Sequence, residues 1–129
     1  MAQVPNFKQG ETFKAQVPVY DVDGITALDL SSPNATAIKV VLTIGGQEVA
    51  KYSLVSETGY DPLTVGGGSN NILEFWITRE ASKDFPTGPL HGAAVMELVE
   101  AAAPSGEKHI EKTFALATVT EGKAKDVEI

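Results

Sequence analysis

A chain of 129 residues, 43% of them hydrophobic and none of them cysteine, has the size of one domain and can bury a core without disulfide support. Its formal net charge of −7, with lysine and arginine scattered singly, argues against nucleic acid or an anionic membrane surface as partner, because both need clustered cations. No apolar run approaches the length of a membrane span, and the opening ten residues lack the charged and apolar regions of a secretory signal.

Along the chain the apolar residues alternate with period two, and helical periodicity is nearly absent. Residues 12–20 form the first predicted strand, with Phe13, Ala15, Val17 and Val19 on one face. Pro18 cannot donate to a ladder, so this strand is placed at a sheet edge. Asp21-Val22-Asp23-Gly24 reads as a tight turn with Gly24 at positive φ, and residues 25–30 follow as a further short strand. Residues 36–44 turn Ile38, Val40, Leu42 and Ile44 inward, and Gly45-Gly46 closes a hairpin to residues 47–55.

Residues 56–71 are polar and glycine-rich and read as a flexible loop with room for a short strand at 63–65. Residues 72–78 form the next strand, residues 79–84 one helical turn, and residues 90–100 and 109–119 the last hairpin. About seven strands separated by turn signals define an all-β, antiparallel two-sheet sandwich. Residues 1–9 are set apart as an N-terminal arm that orders against a neighbour, residues 10–119 as the sandwich, and residues 120–129 as a loose tail.

Two strands are apolar on both faces. One carries Ile72 and Trp76, beside Glu74, opposite Leu73, Phe75 and Ile77; the other carries Ala93, Val95 and Val99 opposite Leu90, Ala94, Met96 and Leu98. A sandwich buries only one face of each sheet, so either a loop or another subunit must cover the second. Exposed apolar patches mark contacts, and Ile72, Trp76, Ala93 and Val95 are therefore the candidate assembly residues.

Catalytic constellations are hard to assemble. Nucleophilic catalysis needs an activated side chain beside a base, and the two histidines, His91 and His109, both fall in the last hairpin. With Val99 opposite Lys108, His91 lies near Leu116 and His109 near Leu98, at opposite ends of the ribbon, so they cannot share a metal. Asp21 and Asp23 resemble the start of a calcium loop, but Thr26 and Ser32 stand where its glycine and glutamate belong. The turn reading is preferred, with Asp29 the one further carboxylate available for an irregular ion site.

The run from Gly66 to Ser69 has no lysine after it and reads as slack in a loop, not a phosphate cradle. Asn34-Ala35-Thr36 is a glycosylation sequon that means little without a signal peptide. Tyr60 and Trp76 are the two rings a sugar-binding surface would use. No enzymatic activity, cofactor or metal is expected.

With the strands placed, a family pattern emerges. Gly10-Glu11-Thr12-Phe13 opens the first strand, and an Asp-x-Asp-Gly turn leads into Ala27-Leu28-Asp29-Leu30. Leu73-Glu74-Phe75-Trp76-Ile77-Thr78 precedes Phe85-Pro86-Thr87-Gly88, and Phe114-Ala115-Leu116 with Val119 closes the last hairpin. From Gly10 to Val119 this order resembles the immunoglobulin-like domain at the N-terminus of bacteriophage baseplate upper proteins and related small phage tail and head accessory proteins.

The resemblance implies a virion structural protein, assembled in the bacterial cytoplasm. It would act as a connector or adaptor, with other virion proteins and further copies of itself as partners. The alternative is a carbohydrate-binding or adhesin-type surface module.

Overall fold

The computed structural model describes residues 4–21 and 23–123. The chain is an all-β sandwich. Its strands are β1 (Asn6–Lys8), β2 (Phe13–Pro18), β3 (Ala35–Ile44), β4 (Gln47–Ser53), β5 (Asp61–Pro62), β6 (Thr64–Gly66), β7 (Ile72–Ile77), β8 (Gly88–Val99) and β9 (Glu107–Thr120). One helical turn, α1 (Arg79–Ser82), lies between β7 and β8. Six strands form one sheet in the order β1-β9-β8-β3-β4-β5, and three form the other in the order β2-β7-β6. Pro18 sits on an edge strand, as its missing N–H requires.

The core lies between the inward faces. Ile38, Val40 and Leu42 of β3, and Leu90, Ala94 and Met96 of β8, are wholly buried. Facing them are Ala15 and Val17 of β2 and Leu73, Phe75 and Ile77 of β7, which pair in an antiparallel register from Phe13↔Ile77 to Pro18↔Ile72. Each set has the period-two spacing that places alternate side chains on one face. The β3–β4 hairpin turns at Gly45 and Gly46, with φ of 60° and 81°, the pair of positive values that a type I′ turn demands.

Several elements differ from the sequence expectation, each for a physical reason. Nine strands are present among the described residues instead of about seven. Residues 25–30 make no strand, only the single bridge Tyr20↔Ala27. The carboxylates of Asp23 and Asp29 take the N–H groups of Ile25, Thr26 and Ser31, which curls this segment into turns.

In the stretch 56–71 the short strand expected at 63–65 is found as β6, and β5 is added to it. β5 pairs in parallel with β4, β6 pairs with β7, and the chain crosses between the sheets there. Asn71 anchors its end, its amide donating to the Val19 carbonyl at 3.1 Å while the Val19 N–H donates to the Asn71 carbonyl at 2.8 Å.

Residues 6–8, read from sequence as part of an arm, instead pair with the chain's own β9, parallel to Thr118–Thr120. Phe7 drives this: it is 4% exposed and stacks on Phe13 with ring centroids 4.9 Å apart. Three residues are too few for alternation to announce a strand. Of the expected tail, Thr120 ends β9, and residues 124–129 lie outside the described residues.

The β8–β9 register is also one residue off the expected one. Val99 pairs with Glu107, and a bulge between Leu90 and His91 leaves Leu116 as the extra residue. The bulge lets both Leu116 and Ala117 point into the core.

Candidate functional site

The outer face of the six-stranded sheet is built around β8, where exposed and buried residues alternate. Val95 is 48% exposed and Val99 55%, while Ala93 is half-buried. Register fixes the neighbours of each. Val95 lies between Lys39 of β3 and Glu111 of β9, Ala93 between Val41 and Thr113, and His91 between Thr43 and Ala115. Val41, Ala93 and Val95 thus form a continuous apolar strip down the middle of the face. Gly92 interrupts the side chains at its back, and a Cβ there would stand 2.3 Å from the Phe114 ring.

Charge borders this strip on both sides, with Glu111 on β9 and lysines on β3 and β4. Lys39 pairs with Glu57 at 2.7 Å and Lys51 with Glu48 at 3.7 Å. The Tyr60 ring lies 4.8 Å from both lysine ammoniums, so two cations flank it. No described segment covers Val95 or Val99.

Ile72 and Trp76 occupy the other outer face. They project from β7 away from the core and pair with Pro18 and Lys14 of β2. Trp76 is 55% exposed, with the Lys14 ammonium 5.6 Å from its ring centroid. Ile72 is half-buried and packs against Gly67, whose φ of 87° brings its backbone close enough that an added Cβ would meet the Ile72 side chain at 2.8 Å.

The four candidate assembly residues therefore divide into two pairs on opposite sides of the sandwich, with the core between them. Alternation in sequence identifies outward residues, but it does not say which sheet carries them. Val41 belongs to the strip and was not singled out from sequence. Its signal was there, since it alternates with the inward Val40 and Leu42.

The same geometry bears on the remaining motifs. Tyr60 lies on the six-stranded sheet and Trp76 on the three-stranded one, so the two rings make no common stacking platform. At the Asp-x-Asp-Gly turn, Asp23 accepts from the Thr26 hydroxyl and from the Ile25 and Thr26 N–H groups, and these bonds hold its pKa below the ordinary carboxylate value. Asp29 is lowered likewise by the Ser31 hydroxyl and N–H. Gly24, at φ 72°, donates to the Asp21 carbonyl. These carboxylates are occupied in shaping their own turns.

His91 pairs with Ala115 and His109 with Glu97. The two positions are six steps apart along β8, about 20 Å along an extended strand, so the histidines stand apart as the sequence implied.

Comparison with protein-family models, with curated proteins and with solved structures finds no match to this chain. The fold defines a class, an all-β two-sheet sandwich.

Proposed function

We propose that this domain is a non-enzymatic assembly module, a phage virion protein that joins copies of itself to other tail, baseplate or head components. The observation that carries the reading is the uncovered strip of Val41, Ala93 and Val95 on the broad face of the larger sheet. Such a surface gains free energy when another molecule removes it from water, at about 25 cal/mol per Å² of apolar area.

Strand order supports the immunoglobulin-like part of the reading. The order β9-β8-β3-β4-β5 against β2-β7-β6 follows the variable-type arrangement, in which two extra strands extend the G-F-C sheet and B-E-D forms the other. The separation of Tyr60 from Trp76 weighs against a sugar-binding surface.

Sedimentation velocity at micromolar concentration tests the proposal. Self-association that Val95→Asp abolishes, with the circular dichroism of the fold retained, is the expected outcome. A wild-type chain that sediments as a monomer, or an oligomer indifferent to Val95→Asp, overturns assembly through this face.

A further inference from the structure

Near the turn end of the β8–β9 ribbon, three side chains converge on the outer face, where Glu97 stands between Val95 and Val99. Glu97 of β8 and His109 of β9 are directly paired across the ribbon, and Glu107 stands two residues before His109 on the same face. One donor atom from each of the three lies within 4.8 Å of the other two. Nε2 of His109 and Oε2 of Glu107 are 3.6 Å apart. We propose that Glu97, Glu107 and His109 form a binding site for a zinc ion.

The distances suit that ion. Zinc bonds of about 2.0–2.1 Å in a tetrahedron place neighbouring donors about 3.3–3.5 Å apart. The His109–Glu107 separation is close to this, and the Glu97 donor lies within 4.8 Å of both. The ladder already fixes the three Cα positions, so binding orders side chains only.

The donor set selects the metal. Calcium takes six to eight oxygen ligands and magnesium an octahedron of them. One imidazole nitrogen and two carboxylate oxygens on an open sheet face are too few, and of the wrong kind, for either. Imidazole with carboxylates suits zinc and its first-row neighbours. Two carboxylates also balance the charge of a divalent cation, and an ion between Glu97 and Glu107 relieves their mutual repulsion across the ribbon.

One of the ligands is held from outside the group. The single proton of the Thr36 hydroxyl is shared between Oε1 of Glu97 at 3.1 Å and the Glu97 carbonyl at 3.2 Å, which orients the carboxylate as partners behind a metal ligand do. Three protein ligands leave a fourth position open to water or to a donor from another molecule.

Isothermal titration of chelator-treated protein with zinc chloride, together with thermal unfolding, tests the site. One equivalent of zinc should bind and raise the melting temperature, and EDTA should reverse the shift. His109→Ala and Glu97→Gln should each weaken binding at least about tenfold, and Thr36→Val by about tenfold through the lost orientation. His91→Ala should leave it unchanged. Each substituted residue is exposed or half-buried, so circular dichroism should confirm that the fold survives. No zinc uptake at micromolar concentration overturns the proposal, as does uptake indifferent to His109→Ala, or calcium and magnesium binding as tightly as zinc.

Discussion

Tyr52 and Phe75 meet across the sandwich with ring centroids 4.4 Å apart and planes inclined by 35°. Tyr52 belongs to β4 of the larger sheet and Phe75 to β7 of the smaller, and they are 1% and 2% exposed. Truncating either ring leaves a cavity that neither sheet can close alone, so Phe75→Ala or Tyr52→Ala should cost about 3–5 kcal/mol. The double variant should cost less than the sum by about 0.5–1.5 kcal/mol, the coupling of an aromatic pair. Urea unfolding of the four proteins measures this, and strict additivity would show that the rings contribute independently.

A second set of contacts ties both ends of the chain to the corner after α1. Gln9 is 8% exposed; its amide donates to the Phe85 carbonyl at 2.7 Å and its side-chain oxygen accepts from the Gly122 N–H at 3.4 Å. Its own N–H donates to the Thr120 carbonyl at 3.0 Å. Gln9→Leu keeps the bulk but leaves the buried Phe85 carbonyl and Gly122 N–H unpartnered, at a cost of about 1–3 kcal/mol. Hydrogen exchange should quicken at Gly122 while the β3 amides stay protected. Unchanged exchange there would mean that water substitutes for the glutamine.

The inward faces of β3, β7 and β8 were legible in sequence because each is long enough for alternation to repeat: Ile38-Val40-Leu42 and Leu73-Phe75-Ile77 could not be mistaken. What failed was short or depended on register. β1 carries its signal in Phe7 alone and β5 holds two residues, whereas β6 falls within one residue of the short strand expected at 63–65. Residues 25–30 have strand-like composition, but side-chain carboxylates capture their backbone. The bulge that admits both Leu116 and Ala117 shifted the last hairpin by one position. In the expected register Glu97 faces Ile110, and its convergence with His109 is invisible. Cross-strand sites depend on register, and buried volume sets register here.

Two glycines offer opposite outcomes for one substitution. A Cβ on Gly122 would stand 2.1 Å from the Gln9 carbonyl oxygen and 2.9 Å from its nitrogen. Those are backbone atoms held in the ladder to Thr120, so they cannot step aside. Gly122→Ala should therefore lower the melting temperature and free the segment after β9. Gly68 has no atom within 4 Å of its added Cβ and no positive φ. Gly68→Ala should be neutral or slightly stabilising, because it restricts only the unfolded chain. Differential scanning calorimetry decides both, and equal effects would contradict the close approach at Gly122.

Acid sensitivity should trace in part to the turn after β2. The Thr26 hydroxyl, then the Ile25 and Thr26 N–H groups, stabilise ionised Asp23 and lower its pKa, as Ser31 does for Asp29. A carboxyl whose pKa is lower folded than unfolded contributes stability above its unfolded pKa and loses it as pH falls through the folded one. The melting temperature should thus be flat near neutrality and decline below about pH 4. Asn in place of Asp keeps an oxygen to accept the turn's N–H groups but has nothing to protonate. Asp23→Asn should start lower at neutral pH and decline less steeply, and the double variant with Asp29→Asn less steeply still. Parallel curves for wild type and double variant would place the acid-labile carboxyls elsewhere in the chain. Converging curves would tie the acid response to the bonds that keep residues 25–30 out of the sheet.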